Sequence, residues 1–161
     1  MSEEHPSSES SALSENQVPA SRWQRGLAAS VDMLIIMIII IPIMYLTGMF
    51  DEAAKGVSPS TAFNLLIEAF YLGVFAFLNG KLLVKTGQTI GKRIIGIKIV
   101  DLNGQVPTLK QHLLKRYAVY FLPGQIPVVG YIFPIINLLF IFGEEKRCIH
   151  DYVAGTRVVQ V

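Results

Sequence analysis

The feature that most constrains this chain is a carboxylate inside a membrane-length apolar run. From Leu27 onward the sequence is almost continuously apolar. Asp32 follows Arg25 by two helical turns and precedes a stretch, 33–46, with scarcely a polar side-chain atom. At about 1.5 Å per residue a helical run of this length spans the roughly 30 Å of bilayer hydrocarbon. An aspartate facing lipid at mid-membrane costs about 2.5–3.5 kcal/mol, so Asp32 is expected to face protein. It is there for a partner, a proton or an ion.

Composition supports a bilayer setting. Of the 161 residues, 52% are apolar and 16% charged, against a soluble average of about 25% charged. A net charge of +2 gives no reason to expect a nucleic-acid partner. One cysteine, Cys148, excludes an internal disulfide and a thiolate metal cluster. Residues 1–20 are rich in Ser and Glu without apolar periodicity and read as a disordered tail. They lack the basic start of a signal peptide, so the first span is expected to stay as an anchor. The membrane domain is then 21–161, with spans at about 27–49 and 61–84.

Between the second span and the next apolar region lies a basic, water-facing segment. Residues 94–100 are β-branched and read as a strand. Asn103 and Gly104 form a turn dipeptide that tolerates positive φ. Thr108 and Gln111 have the spacing of a capping box. The third apolar region, 117–142, is broken by Pro123, Gly124, Pro127, Gly130 and Pro134, which no straight helix accommodates without losing backbone bonds. It is either one kinked span or a helical hairpin that returns to its own side.

Charge placement favours the hairpin. Arg22 and Arg25 precede the first span, the middle segment is basic, and the loop between the first two spans holds only Lys55. The positive-inside rule puts the amino terminus and the middle segment in the cytoplasm. With the tail also inside, 13 of the 14 Lys and Arg residues are cytoplasmic. Residues 156–161 are strand-like and need a neighbour, for which 94–100 is the candidate. A two-strand ribbon is marginal, and a third strand would help.

Arg25 and Asp32 share one helix face about 10 Å apart along the axis. Asp151 follows the last apolar region in a short helix closed by Gly155, and with a cytoplasmic tail it can reach Arg25. Architecture and ion handling are evenly weighted for Asp32, whereas Arg25 and Asp151 read as a clamp. Glu68, with Asn64 on the same face of the second span, is a second acid that could join Asp32 in a proton or cation path. The blander reading is a helix–helix contact. Other motifs fail. Residues 87–93 resemble a phosphate loop but carry Arg93 where Ser or Thr must hold magnesium. His5, His112 and His150 have no metal-ligand spacing. No nucleophile, base and orienter come together, so neither an enzyme nor a cofactor is expected.

Arg25 with Asp32, the stretch 88–100, and His150 with Asp151 through Thr156 together resemble the RDD family of membrane proteins, named for one arginine and two aspartates. By match to its motifs these are Arg25, Asp32 and Asp151. The resemblance covers about 21–161. It implies a bacterial cytoplasmic-membrane protein and a role in cation or proton transport or, alternatively, as a non-catalytic accessory or assembly factor. The expected fold is an all-α integral membrane bundle: two full transmembrane helices, a broken apolar helical hairpin and a small cytoplasmic β element. The expected partners are the lipid bilayer, its anionic headgroups, and a second copy or another membrane protein.

Overall fold

Ser21 starts the first helix. Its hydroxyl accepts from the Gln24 N–H, and the Gln24 side chain accepts from the Ser21 N–H, a reciprocal cap that fixes the entry of the chain. Helix α1 (Arg22–Leu46) then runs for 25 residues, through Pro42. In this computed structural model the described residues are 17–56, 60–126, 129–143 and 147–161. A short α2 (Met49–Ala54) turns the chain, and α3 (Thr61–Thr86), capped by the Ser60 hydroxyl, brings it back.

Helices α1 and α3 are long and apolar enough to cross a membrane, with mean hydropathy 2.6 and 1.6 over their most apolar stretches. Only 17% and 6% of those stretches is buried within the chain. A core helix of a soluble protein is mostly covered, whereas bare apolar flanks of this extent suit lipid or another protein.

After α3 the sequence-based expectation needs correcting. Ile94 and Ile95 belong to a short helix, α4 (Ile90–Ile95), and the strand β1 begins only at Ile97 (Ile97–Asp101). The punctuation explains the difference. Thr89 caps α4 at its start, and Gly96, at φ +75, closes it in the left-handed conformation that glycine adopts without steric cost. Asn103 and Gly104 do form a turn, with Gly104 at φ +79 and the Asp101 carboxylate accepting from the N–H groups of Asn103 and Gln105. Thr108 precedes a helical segment as expected, but Leu109–Leu113 is a π-helical turn and no side-chain cap closes on it.

Strand β1 pairs antiparallel with β2 (Thr156–Gln160), Ile97 opposite Gln160 and Asp101 opposite Thr156. The sheet has two strands, and an isolated bridge, Pro19 opposite Val159, ties the residues just before α1 to the free side of β2. The Ala20 N–H donates to Val158 O at 3.0 Å, and the Gln160 N–H to Val18 O at 2.9 Å. Residues 17–20, assigned from sequence to the tail, are therefore part of the folded unit, while 1–16 lie outside the described residues. The far edge of β1 is covered too: Ile99 N–H bonds Gly87 O at 2.8 Å, and the Gln88 amide bonds Ile97 O at 3.0 Å. Ile97, Ile99 and Val158 pack with Ala20, Ala28, Leu83 and Leu113, so one small core joins the sheet to both long helices.

The broken region consists of α5 (Leu114–Phe121), a 3-10 turn (Leu122–Gln125), α6 (Val129–Leu139) and a second 3-10 turn (Phe140–Phe142). Its two ends meet. Arg116 near its start bonds Asp151, and at its finish Arg22 of α1 donates to Phe142 O at 3.2 Å and lies 5.1 Å from the centre of that ring. Both ends thus lie at the amino-terminal end of α1. The outward limb of 8 and 4 residues covers about 18–20 Å, short of the roughly 30 Å of hydrocarbon. Helix α7 (Ile149–Ala154) follows, ended by Gly155 at φ +61, and leads directly into β2.

Candidate functional site

Asp32 and Asp151 anchor two neighbouring polar sites, and each serves the start of a short helix. Helix starts leave backbone N–H groups without partners, which is expensive at a membrane boundary. For α4 the shortfall is met from three directions. The Ile90 N–H donates to the Asn79 side chain of α3 at 2.9 Å, the Gly91 N–H to one Asp32 oxygen at 2.7 Å, and the Lys92 N–H to the Thr89 hydroxyl at 3.3 Å. Thr89 in turn donates its hydroxyl proton to the other Asp32 oxygen. Both Asp32 oxygens are committed, and the carboxylate lies at the positive end of the α4 dipole.

Position 91 must be glycine for this docking. A Cβ there would lie 2.1 Å from Ala28 O and 2.9 Å from the Asp32 carboxyl carbon. The glycine read from sequence as part of a failed phosphate loop is the point where α4 touches α1. The N–H groups that would cradle a phosphate there already have internal acceptors: the Asn79 amide, the Asp32 carboxylate and the Thr89 hydroxyl.

Asp151 is fully buried and accepts from more groups still. One oxygen takes Arg25 of α1 and the Cys148 N–H at 3.0 Å; the other takes Arg116 of α5. Arg116 also donates to the Thr156 hydroxyl at 2.9 Å, and Arg147 ties down Thr156 O at 3.1 Å and Asp151 O at 3.2 Å. A single carboxylate therefore joins the first helix, the start of the broken region, α7 and β2. Arginine suits this place because its guanidinium presents several donors in a fixed plane.

The three residues singled out from sequence do not form one cluster of ion pairs. Arg25 bonds Asp151, whereas Asp32, two turns further along α1, bonds Thr89 and Gly91. Glu68 is apart from both: it precedes Asn79 on α3 by three turns, about 16 Å along the axis, and no contact ties it to Asp32 among the described residues. Sequence reasoning missed Arg116, Thr89, Asn79 and Thr156 as members of these sites. Thr89 had a signal, a hydroxyl residue just before an apolar helical turn. Arg116 had none, because its role depends on a fold-back across the chain.

The electrostatics follow from burial. His150 donates its N–H to the Asn137 side-chain oxygen of α6, and its ring lies 3.0 Å from the same oxygen. Burial, then the nearby Arg116, Arg25 and Lys92, push its pKa far below the ordinary value, so it is neutral across the physiological range. Burial also lowers Lys92, to about 8, with Arg116 and Arg25 adding to the effect and Asp32 opposing it. Cys148, His150 and Asp151 offer ligand atoms within 4.8 Å of one another, a grouping their sequence spacing did not suggest. A divalent cation there would have to displace two guanidiniums from Asp151, so the set reads as part of the ion-pair site.

The sequence profile of the RDD family matches residues 19–155. The chain is 30% identical over 157 residues to "Uncharacterized protein YxaI" of Bacillus subtilis (strain 168), covering 88% of this chain and 97% of that protein. "Uncharacterized protein YckC" of the same organism is 29% identical over 143 residues, covering 87% and 83%. "Uncharacterized protein RP437" of Rickettsia prowazekii (strain Madrid E) is 33% identical over 100 residues, covering 62% and 47%. No solved structure is a significant match. With its profile spanning both polar sites and most of the chain, this protein belongs to the RDD family of membrane proteins.

Proposed function

We propose that this is a multi-pass protein of the bacterial cytoplasmic membrane, with both termini cytoplasmic, that serves as a non-catalytic accessory or assembly factor for another membrane protein. The observation carrying this reading is how fully the polar residues are used inside the fold. Asp32 caps α4, and Arg25, Arg116 and Asp151 fasten the carboxy-terminal segment to α1. Outward-facing surface is instead apolar: Leu34, Ile38 and Tyr45 on α1, Leu66 and Phe77 on α3. Such flanks offer a second copy or a partner subunit a place to pack, and the basic middle segment meets anionic headgroups.

Transport of a cation or proton is the second reading, favoured by the position of Asp32 ten residues into a candidate span. Its difficulty is continuity, since Glu68 lies well away from Asp32. The two separate in proteoliposomes. Under imposed Na⁺, Li⁺, K⁺ or proton gradients, the accessory reading expects no flux above empty vesicles from wild type or Asp32→Asn. Flux in wild type that disappears in folded Asp32→Asn would establish transport and overturn it.

A further inference from the structure

One face of α3 is packed by the chain toward its Thr86 end and left open toward its start. Phe75 on that face meets Tyr117 of α5, ring centres 5.2 Å apart. Glu68 and Asn64 precede Phe75 by 7 and 11 residues, close to two and three whole turns, so the three share the face. Glu68 is half-buried and Asn64 exposed, and neither side chain has a hydrogen bond or ion pair among the described residues. Counted from the exposed Lys85 in the last turn, Glu68 lies about 25 Å and Asn64 about 31 Å along the axis. Glu68 thus falls within the roughly 30 Å of hydrocarbon, and Asn64 at its outer edge. A carboxyl group at that depth calls for a polar partner that acyl chains do not supply.

The two side chains indicate which partner fits. No Lys or Arg occurs in α3 before Lys81 or in α1 after Arg25, so the spans of this chain offer no cation at this level. They do offer an amide. Asn64 carries two N–H donors, and Glu68, one turn inward on the same face, is an acceptor. A second copy related by a two-fold axis along the membrane normal brings the same two residues to the same depth, and the pairing is then reciprocal. We propose that two copies of this chain associate through the outer half of α3, the Asn64 amide of each donating to the Glu68 carboxyl of the other. Leu65, exposed and three residues before Glu68, adds apolar contact beside the pair. The proposal rests on α3 spanning the membrane, as in the reading above.

The test reconstitutes the full chain in liposomes and reads the dimer fraction by single-molecule photobleaching as protein is diluted in lipid. Wild type is expected to dimerise. Glu68→Leu and Asn64→Leu should each raise the dissociation constant about tenfold, and Glu68→Gln, which keeps an acceptor, should stay close to wild type. Phe77→Ala is the control and should match wild type, since Phe77 is 86% exposed and, nine residues from Glu68, lies on the opposite side of α3. Asn64→Cys should form a disulfide between copies on oxidation. Phe77→Cys should not, nor should wild type, whose Cys148 is buried. Wild type that stays monomeric at every dilution overturns the proposal. So does undiminished dimerisation of either folded leucine variant, or crosslinking at position 77 in preference to 64. A topology reporter in the loop after α2 tests the span by itself: an external signal with monomeric protein rejects the dimer and leaves the span standing.

Discussion

At the scale of single residues, one carboxylate has the largest consequence. Asp151 receives two guanidiniums at zero exposure, so Asp151→Asn leaves two buried cations without their counter-charge. The expected cost is about 3–5 kcal/mol, read as a lower thermal midpoint in detergent; a change within about 0.5 kcal/mol would show the pairs to be incidental. His150 gives a pH dependence of known sign. Its pKa is ordinary in the unfolded chain and far lower in the folded one, so below pH 6.5 the unfolded state binds a proton that the native state refuses. Stability therefore falls as pH drops through 6.5, by up to about 1.4 kcal/mol per pH unit from this group. His150→Gln should remove that part of the slope, and an unchanged slope would place the titration elsewhere. The arginine and the two aspartates were legible in the sequence as residue types out of place in apolar surroundings or matched to a motif. Their partners were not, since Thr89, Asn79 and Arg116 are ordinary at their positions until the chain folds back.

At the scale of elements, the decisive contact is α4 against α1. With backbone approaching backbone at position 91, Gly91→Ala has to push α4 away from Ala28 and stretch both bonds to Asp32. Overpacking of this kind costs about 1–3 kcal/mol. Hydrogen exchange should show the loss first at the N–H groups of Ile90, Gly91 and Lys92, and protection equal to wild type there would mean that the docking is looser than described. The two long helices were readable from hydropathy, and their observed bounds lie within a few residues of those expected. So was α7, ended by Gly155. Helix α4 was not, because a six-residue helix rich in isoleucine has the composition of a strand, and only its two caps distinguish it. A third strand did not form; residues 18–20, which have no strand pattern, instead meet β2 through one isolated bridge and two backbone bonds.

At the scale of the whole molecule, the account says that the chain folds back on the place where it began. The residues before α1, both ends of the broken region, α7 and β2 gather at one end of α1, and Arg25 with Asp151 fastens them. With the polar contacts concentrated at that end, the opposite ends of α1 and α3 are joined through α2 and share few contacts of their own. Packing of those bare helices is then left to lipid or to a partner. A pair of topology reporters tests this most directly, one fused after Val161 and one inserted in the loop after α2. The account predicts a cytoplasmic signal from the first and an external signal from the second; an external signal after Val161, with the amino terminus cytoplasmic, would separate Asp151 from Arg25 and contradict it.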